Sequence, residues 1–461
     1  MQTIEQAVTI DQEAKFDINE LFFSITSKDS TIVSGNEVFV RISGYTKQEL
    51  IGSFHNIIRH PDMPKIVFKT LWDYLNAGKP IVAYVKNRTK EGRYYWVLAV
   101  VFPLNDRYVS IRIKPNTPIF TAVKELYSKL LMAENKGGTE ASGNIFPALL
   151  SNAGYENYDQ FMSDAFLQEL QGRQGLISRI CHREQDEEPS SPLLDNLKSV
   201  HTLSKKLMDE YDQWFEKIAM FTEIKSMFEE KGLILGHLAR DIVFLSLNAS
   251  VSSYKIASGG ETFGILARDI RTNAKENDTL INEMHEIVNN VSNSLSDIIF
   301  VIASMRLQIE MVTYFIEEIS CNHGAMQSSE MNGNICDLIA LIVEYTGKTK
   351  TSQLRLDGEI QESLKHLDQL EQQMMYLGYI QVYGFMEAAA SYDESVRFKV
   401  IFSQLKILVE QTSQEIDAMQ KNGKSFYREN RRLMEKSTGI DRLLNYLQEE
   451  MMIIKEMEGQ A

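Results

Sequence analysis

The sequence predicts an α+β domain at the N-terminus, followed by a mainly α region in which long antiparallel helical hairpins form an elongated four-helix bundle. Two observations lead to this prediction. Residues 16–117 alternate strand-like runs with turn signals, whereas apolar residues after position 196 recur at steps of three and four. Turn-forming residues also divide the second region into arms of nearly equal length. The 461 residues suffice for two to four domains of ordinary size.

The first region contains runs rich in β-branched and aromatic residues, separated by glycine-containing turn signals. These runs are residues 30–33, 81–85, 94–102 and 108–113. Short helical stretches lie between the first run and the others, at 36–43 and 63–77. We expect five short strands and a few helices in one compact domain, residues 1–117.

A helical connector is predicted for residues 118–195. Two stretches rich in small or charged residues interrupt it, at 135–143 and 184–192. The second contains acidic residues and two prolines, a composition typical of a linker.

The region after the connector is predicted to form four helical arms of about sixty residues each, roughly 85–90 Å long. Turn signals at 258–260, 322–334 and 391–395 divide the arms. They give a first hairpin over 196–320 and a second over 335–458. Strict alternation of three- and four-residue steps from Ile281 to Ile319 predicts a left-handed coiled-coil seam. A second seam, from Ile416 to Ile454, contains several polar or small residues and should pack less tightly.

The two hairpins show weak similarity to each other. Ser252 precedes Phe263 by eleven residues, and Glu387 precedes Phe398 by the same interval. An internal duplication explains this spacing, but a shared heptad pattern explains it equally well.

Composition limits the function classes. Acidic residues outnumber basic ones by 63 to 48, for a net charge of -15. This charge argues against a nucleic-acid binder and against an anionic membrane surface as the main partner. The three cysteines, Cys181, Cys321 and Cys336, form no paired motif, so we expect neither a disulfide framework nor a metal site. With no signal-peptide pattern and no uncharged apolar stretch of membrane-spanning length, we expect a soluble cytoplasmic protein.

Several motifs within residues 16–115 resemble the PAS domain of aerotaxis receptors. They are Ile-Ser-Gly-Tyr-Thr-Lys-Gln-Glu-Leu-Ile-Gly at 42–52, His-Asn-Ile-Ile-Arg-His-Pro-Asp-Met-Pro at 55–64, Leu-Trp at 71–72, Val-Lys-Asn-Arg-Thr-Lys-Glu-Gly at 85–92 and Tyr-Trp-Val at 95–97. The resemblance implies non-covalent binding of FAD and sensing of the cellular redox state.

A flavin needs apolar walls together with hydrogen-bonding groups for its ring edge. The side chains suited to this task are Asn36, Arg59, His60, Asp62, Trp72 and Asn87. Arg59 and His60 offer cationic donors, Asp62 can orient either of them, and Trp72 can stack on a ring. The asparagine amides both donate and accept hydrogen bonds. Two structural alternatives stay open: an ion pair between Arg59 and Asp62, and ordinary core packing of Trp72 and Trp96.

The cofactor itself also has alternatives. Ile81 and Ala83 stand where the family usually has Trp and Gly, and the hairpin at 104–108 is short. Haem or an empty cleft therefore stays possible beside FAD. A light-sensing cysteinyl adduct is excluded, because residues 1–180 contain no cysteine.

Residues 238–271 resemble the signalling tip of methyl-accepting chemotaxis proteins, which contacts a histidine kinase and its coupling protein. Asn248, Ser252 and Lys255 fall in this tip, and Glu387 occupies the matching place in the second hairpin. Ser252 replaces the usual acid and Lys255 the usual arginine, so we expect a degenerate tip with a changed or lost kinase contact. Two hairpins in one chain could build the bundle as a monomer, and a dimer is the alternative.

Together these patterns predict a cytoplasmic redox or energy (oxygen-related) sensory transducer without enzyme activity. No Ser/His/Asp set, P-loop or kinase histidine motif occurs in the sequence. The alternatives are a non-enzymatic scaffold whose PAS domain binds proteins and a haem-based gas sensor. A flavoenzyme is a weaker third alternative.

Overall fold

A computed structural model describes residues 8–177, 192–254, 260–321, 328–390 and 396–458. The predicted linker at 184–192 and the three predicted turns lie wholly or partly outside these residues. The chain divides into two compact units. The first contains Met1–Phe215, Phe300–Lys348 and Gly439–Ala461, and the second contains Glu216–Ile299 and Thr349–Thr438.

An antiparallel five-stranded sheet forms the centre of the first unit. Its strands are β1 (Phe22–Ser27), β2 (Ile32–Gly35), β3 (Ile81–Arg88), β4 (Tyr94–Leu104) and β5 (Arg107–Ile113), in the order β2-β1-β5-β4-β3. The predicted mixed α+β fold is confirmed. Three of the strand-like runs fall within strands, and the run at 30–33 shares only Ile32 and Val33 with β2. Strand β1 was not among these runs, although it lies between β2 and β5. Phe22, Phe23, Ile25 and Thr26 favour a strand there, but no glycine turn signal lies beside it to mark its ends.

The two faces of the sheet follow from its register. Phe22, Arg112, Ala99 and Ala83 form one cross-strand row, on the face called here the inner face. Phe23, Ile111, Val100 and Val82 form the adjacent row, on the outer face. Helices α1 (Glu37–Ser43), α2 (Lys47–Leu50) and α3 (Lys65–Asn76), with a 3-10 turn at His55–Ile58, follow β2 along the chain. Phe39 of α1 packs on Phe22, and Trp72 of α3 packs on Tyr108, so this segment lies against the inner face.

The predicted connector is helical and packs on the outer face. It forms α4 (Pro118–Asn152), bent at Gly137 and Gly138 inside the predicted flexible stretch, and α5 (Tyr158–Ile177). Phe120 of α4 contacts Trp96, and the Tyr158 hydroxyl of α5 donates to the Val82 carbonyl over 2.8 Å. The connector is therefore part of the packing of the sheet.

Five further helices make up the rest of the described chain. They are α6 (Pro192–Glu216), α7 (Ile218–Ser253), α8 (Gly260–Cys321), α9 (Ser328–Ala390) and α10 (Val396–Glu458). In the first unit, parts of α8 and α9 complete the cover of the outer face. There Phe315 packs against Phe23 at 5.0 Å, and Tyr345 packs against Phe102 at 5.1 Å.

The second unit is a four-helix bundle built from α7, α8, α9 and α10. Contacts between neighbouring helices run in opposite sequence directions, so each helix is antiparallel to its two neighbours. Helices α7 and α8 meet at Lys225–Ser296 and Glu229–Ser292, and α8 and α9 meet at Arg355–Ser294 and His366–Glu283. Helices α9 and α10 meet at Gln361–Tyr427 and Gly384–Phe402, and α7 and α10 meet at Lys217–Glu429 and Lys231–Glu415. The prediction of long antiparallel hairpins packed together is confirmed.

The predicted seam of α8 is buried. Its members Ile281, Met284, Val288, Val291 and Leu295 are inaccessible in the second unit, and Ile298 to Ile316 continue the pattern. The second seam is buried from Ile416 to Leu447, including the polar residue Asn430. Phe263 and Phe398, which the proposed duplication makes equivalent, stack at 4.5 Å.

By length and composition alone, two described helical stretches could cross a membrane. Lys198–Ser253 and Glu261–Ile319 contain 18-residue windows with mean hydropathies of 1.2 and 1.5. The sequence-based expectation concerned uncharged stretches, whereas these windows admit up to two charged residues. The second window is 78% buried, as the core helix of a bundle would be, whereas the first is 33% buried.

Gly384 marks a close helix contact in the second unit. A Cβ atom at this position would lie 2.1 Å from Phe402 Cζ, and the Phe402 ring is inaccessible to solvent. We expect Gly384→Ala to lower the free energy of unfolding by about 1–3 kcal/mol through overpacking. Gly358→Ala, on the same helix, should instead raise it by about 0.5–1 kcal/mol, because no atom lies within 4 Å of the added methyl group.

Urea unfolding followed by far-ultraviolet circular dichroism measures both effects. Phe402→Leu should restore stability to the Gly384→Ala variant, because it removes the clashing ring. An equal effect of the two glycine substitutions would contradict this account of the contact.

Candidate functional site

The centre of the inner face carries small side chains. Ala83 of β3 faces Ala99 of β4, and Ser110 lies on β5 beside Val101. All three are buried. Small side chains leave space above the strands at this point, which suits a flat ring system lying on the sheet.

Four buried polar atoms on this face lack a hydrogen-bond partner within the described part of the chain. They are Asn87 Nδ2, Tyr95 Oη, Ser110 Oγ and Arg112 Nη1. Each unpaired buried group costs about 1–3 kcal/mol. A bound molecule with acceptor atoms would satisfy the two nitrogen donors, so the chemistry of this surface fits a flavin ring edge.

Arg112 is the most unusual of these groups. Its Nη2 donates to Ser24 Oγ over 2.8 Å and lies 2.7 Å from His55 Nε2, so both of its hydrogen-bond partners are neutral groups. Its guanidinium also faces the rings of Phe22 and Phe39 at 5.7 and 5.4 Å. Burial lowers the pKa of Arg112 to about 10, and burial together with the Arg112 charge lowers the pKa of His55 to about 3. A buried cation of this kind favours an electron-rich group beside it.

Sequence reasoning did not identify Arg112, Ser110 or His55 as candidates. A signal for Arg112 exists, because it is a charged residue inside the apolar run of β5, where alternation places it on the same face as Ser110 and Tyr108.

Two of the six predicted cofactor residues come together at the edge of β3. Arg59 and Asn87 form an isolated antiparallel bridge, and the Arg59 guanidinium lies 3.7 Å above the Phe68 ring. Burial lowers the pKa of Arg59. The alternative of an Arg59–Asp62 ion pair is wrong, because Asp62 pairs with Lys86 at 2.7 Å.

His60 and Asp62 form a second group at this edge. His60 Nδ1 accepts from the Asp62 backbone N–H over 3.1 Å, and its ring meets the Tyr94 ring edge-to-face. Burial, then the Lys86 charge, lowers the pKa of His60. This shift favours the neutral ring over the expected cationic donor.

The two tryptophans lie on opposite faces. Trp72 is half-buried on the inner side, edge-to-face with Tyr108 at 5.9 Å. Trp96 packs against Phe120 and Tyr127 of α4 on the outer side. Trp96 is therefore a packing residue, while Trp72 stays a cleft candidate.

Asn36 contacts none of the other candidates. Its Oδ1 accepts from the Phe23 N–H over 3.2 Å, and its Nδ2 donates to the Leu21 carbonyl and to Glu318 Oε2, over 3.1 and 2.9 Å. Burial raises the pKa of Glu318 to about 7. Asn36 therefore joins the start of α1 to α8 through its hydrogen bond to Glu318.

The predicted partner residues lie near the ends of α7 and α9 in the second unit. Asn248 is exposed, Ser252 and Glu387 are half-buried, and Lys255 lies outside the described residues. Large exposed apolar side chains surround these positions. They are Phe244, Leu247, Val251 and Tyr254 on α7, and Tyr379, Val382, Tyr383 and Met386 on α9.

Comparison with known proteins gives a consistent assignment for the sheet domain. Residues 32–112 match the model of the PAS fold family. Over 112 residues the chain is 44% identical to the aerotaxis receptor of Escherichia coli, which covers 23% of this chain and 22% of that receptor. The chain thus matches about a fifth of the receptor's length.

Solved structures with a similar domain include the light-state structure of the blue-light photoreceptor Aureochrome1 LOV. It is 22% identical, covers 22% of this chain and 85% of that one, and has a TM-score of 0.20. The LOV domain of a blue-light activated histidine kinase from Erythrobacter litoralis is 15% identical, covers 21% and 97% of the two chains, and also has a TM-score of 0.20. The chain therefore contains a PAS domain, similar in sequence to part of the E. coli aerotaxis receptor, followed by a mostly helical region.

Proposed function

We propose that this protein is a cytoplasmic, non-enzymatic sensory transducer whose PAS domain binds FAD and passes its redox state to the helical region. The observation that carries the proposal is the set of unpaired polar atoms on the inner face, Asn87 Nδ2, Tyr95 Oη, Ser110 Oγ and Arg112 Nη1. These atoms lie within the segment that matches the PAS fold family. The similarity to the aerotaxis receptor supports flavin over other ligands.

Each cleft residue has a distinct part in this proposal. Asn87 and Arg112 donate to acceptors of the ring system, and Trp72 packs beside it. Arg59, held over Phe68 at the β3 edge, supplies a positive charge at the rim. The bound flavin would supply reversible electron transfer.

The charges are nearly large enough for switching. A unit charge about 4 Å from a cation is worth roughly 4 kcal/mol at an effective dielectric constant near 20. Moving a two-state element from 1:99 to 99:1 needs about 5.5 kcal/mol. A change of charge beside Arg112 or Arg59 therefore supplies most of the free energy required.

The helical region would deliver the output to a signalling protein. Exposed apolar side chains near the ends of α7 and α9, including Tyr254 at 90% and Tyr379 at 74% exposure, are groups that a protein partner can cover. We propose that a chemotaxis kinase, its coupling protein or a diverged partner binds there, in contact with Asn248, Ser252 and Glu387.

The absorption spectrum of the purified full chain tests the cofactor. We expect yellow protein that releases FAD on denaturation and bleaches with dithionite. Asn87→Leu should weaken FAD binding by about tenfold, because leucine is similar in size to asparagine but lacks the buried Nδ2 donor. Asn76→Leu, on the exposed side of α3, is the control and should leave FAD binding unchanged.

Other spectra would decide for the alternatives. A red preparation with a haem spectrum would support gas sensing. A colourless protein that binds neither flavin nor haem would support the scaffold function and refute the proposal.

A further inference from the structure

Glu318 of α8 holds the start of α1 through both of its carboxylate oxygens. Oε1 accepts from the Val38 backbone N–H over 3.1 Å, and Oε2 accepts from Asn36 Nδ2 over 2.9 Å. Asn36 is inaccessible to solvent. The carboxylate therefore makes two charge-assisted hydrogen bonds to the PAS domain in a partly buried setting.

On its inner side, α1 is tied to the proposed ligand surface. Phe39 of α1 packs on Phe22 at 6.3 Å and on His55 at 6.2 Å, and it faces the Arg112 guanidinium. A Cβ at Gly35 would lie 2.6 Å from Phe39 Cδ1, so α1 packs closely against β2. A displacement of Arg112 or His55 would thus move α1, and Asn36 with it.

On the outer side of α1, the residues around the Glu318–Asn36 contact pack against α8. Phe315, one turn before Glu318, packs edge-to-face on Phe23, whose N–H donates to Asn36 Oδ1. Beside the contact is a cavity of 460 Å³, whose lining includes Glu318, Tyr314 and Arg41. This space allows the Glu318 side chain to leave α1 without displacing the backbone of α8.

We propose that the Glu318–Asn36 contact is the site at which the PAS domain passes its state to α8. In this proposal α1 moves, and the Glu318 carboxylate either moves with α1 or loses its hydrogen bonds to it. The input rests on the function proposed above, whereas the contact itself does not depend on flavin. Reciprocity requires that a change at either end alters the other end.

Hydrogen exchange of the full chain, measured by mass spectrometry, tests this assignment. Glu318→Gln should speed exchange of residues 36–43 by about tenfold, because the amide group presents a donor to Asn36 Nδ2. Asn36→Ala should speed exchange of residues 310–318. The double variant should show less than the sum of the two single effects, because both substitutions remove the hydrogen bond between Asn36 and Glu318.

Glu317→Gln is the matched control, because the neighbouring carboxylate bonds to His201 at 3.0 Å and not to the PAS domain. It should leave exchange of residues 36–43 unchanged. In protein that holds FAD, reduction should alter exchange of residues 310–318 in the wild type and in Glu317→Gln. In Glu318→Gln this response should be lost.

Two results would overturn the proposal. The first is full additivity of the Asn36 and Glu318 effects, and the second is an undiminished redox response in Glu318→Gln. Protein that binds no FAD would refute the proposed cofactor, and the variant comparison without reduction would still decide whether the two ends are coupled.

Discussion

Replacing Arg173 by methionine is expected to lower the free energy of unfolding of the first unit by about 3–5 kcal/mol. Arg173 of α5 is 1% exposed. It donates to the carbonyls of Ile18 and Asn19 over 2.9 and 3.1 Å and pairs with Glu310 of α8. Methionine fills similar space but leaves two carbonyls without this donor and weakens the neutralisation of Glu310, which retains Arg306 at 3.0 Å.

Urea unfolding followed by tryptophan fluorescence measures this effect in the first unit, which contains Arg173. The three tryptophans, Trp72, Trp96 and Trp214, all belong to the first unit. Arg107→Met is the control, because Arg107 also pairs with a carboxylate of the long helices, Asp337 at 2.9 Å, but is 43% exposed. We expect a loss of no more than about 1 kcal/mol there. Equal losses would mean that burial of the Arg173 pair does not matter.

Replacing Glu169 by alanine is the second substitution with a large expected effect, about 3–5 kcal/mol of unfolding free energy. This carboxylate is inaccessible to solvent. It accepts from Tyr84 Oη over 2.9 Å, from the Asn116 N–H over 2.7 Å and from Thr117 Oγ1 over 2.7 Å. Alanine would leave the Tyr84 hydroxyl buried and unpaired, would remove the acceptor of the Asn116 and Thr117 donors, and would release α5 and the start of α4 from β3.

Asp159→Ala is a close control for Glu169→Ala. Asp159 lies on the same helix and also accepts from a tyrosine hydroxyl of the PAS domain, Tyr74 Oη at 2.9 Å, but this pair is exposed. We expect a change within about 1 kcal/mol. Tryptophan fluorescence in urea again reports the difference, and a large loss in Asp159→Ala would show that the helix position, rather than burial, governs the effect.

The predicted parts of the fold are those with a local signal. The strands β3, β4 and β5 combine β-branched and aromatic residues with adjacent turn residues, and the structure places them as expected. The seam of α8 is buried along its length, because a regular apolar repeat fits only one helix face. Strand β1 has aromatic and β-branched residues but no glycine turn signal beside it, and its place in the sheet depends on pairing with β5, far along the chain.

The candidate site was predicted less completely. Arg59 and Asn87 are brought together as a ligand site would require, and Trp72 lies on the inner side. Arg112 was missed, because a strand pattern does not reveal that its hydrogen-bond partners are a neutral imidazole and a hydroxyl. His60 was expected to be a cation, but its pKa is lowered by burial, which depends on neighbours from other segments.

The sequence alone determined that a PAS-like α+β domain precedes long amphipathic helices, because side-chain periodicity and turn residues act over short stretches of chain. Only the tertiary structure decided what these parts do to each other. It joined Asn36 to Glu318 across 282 positions and placed α4 and α5 against the outer face of the sheet. Such contacts depend on which faces meet after packing, and no local pattern of residues specifies that choice.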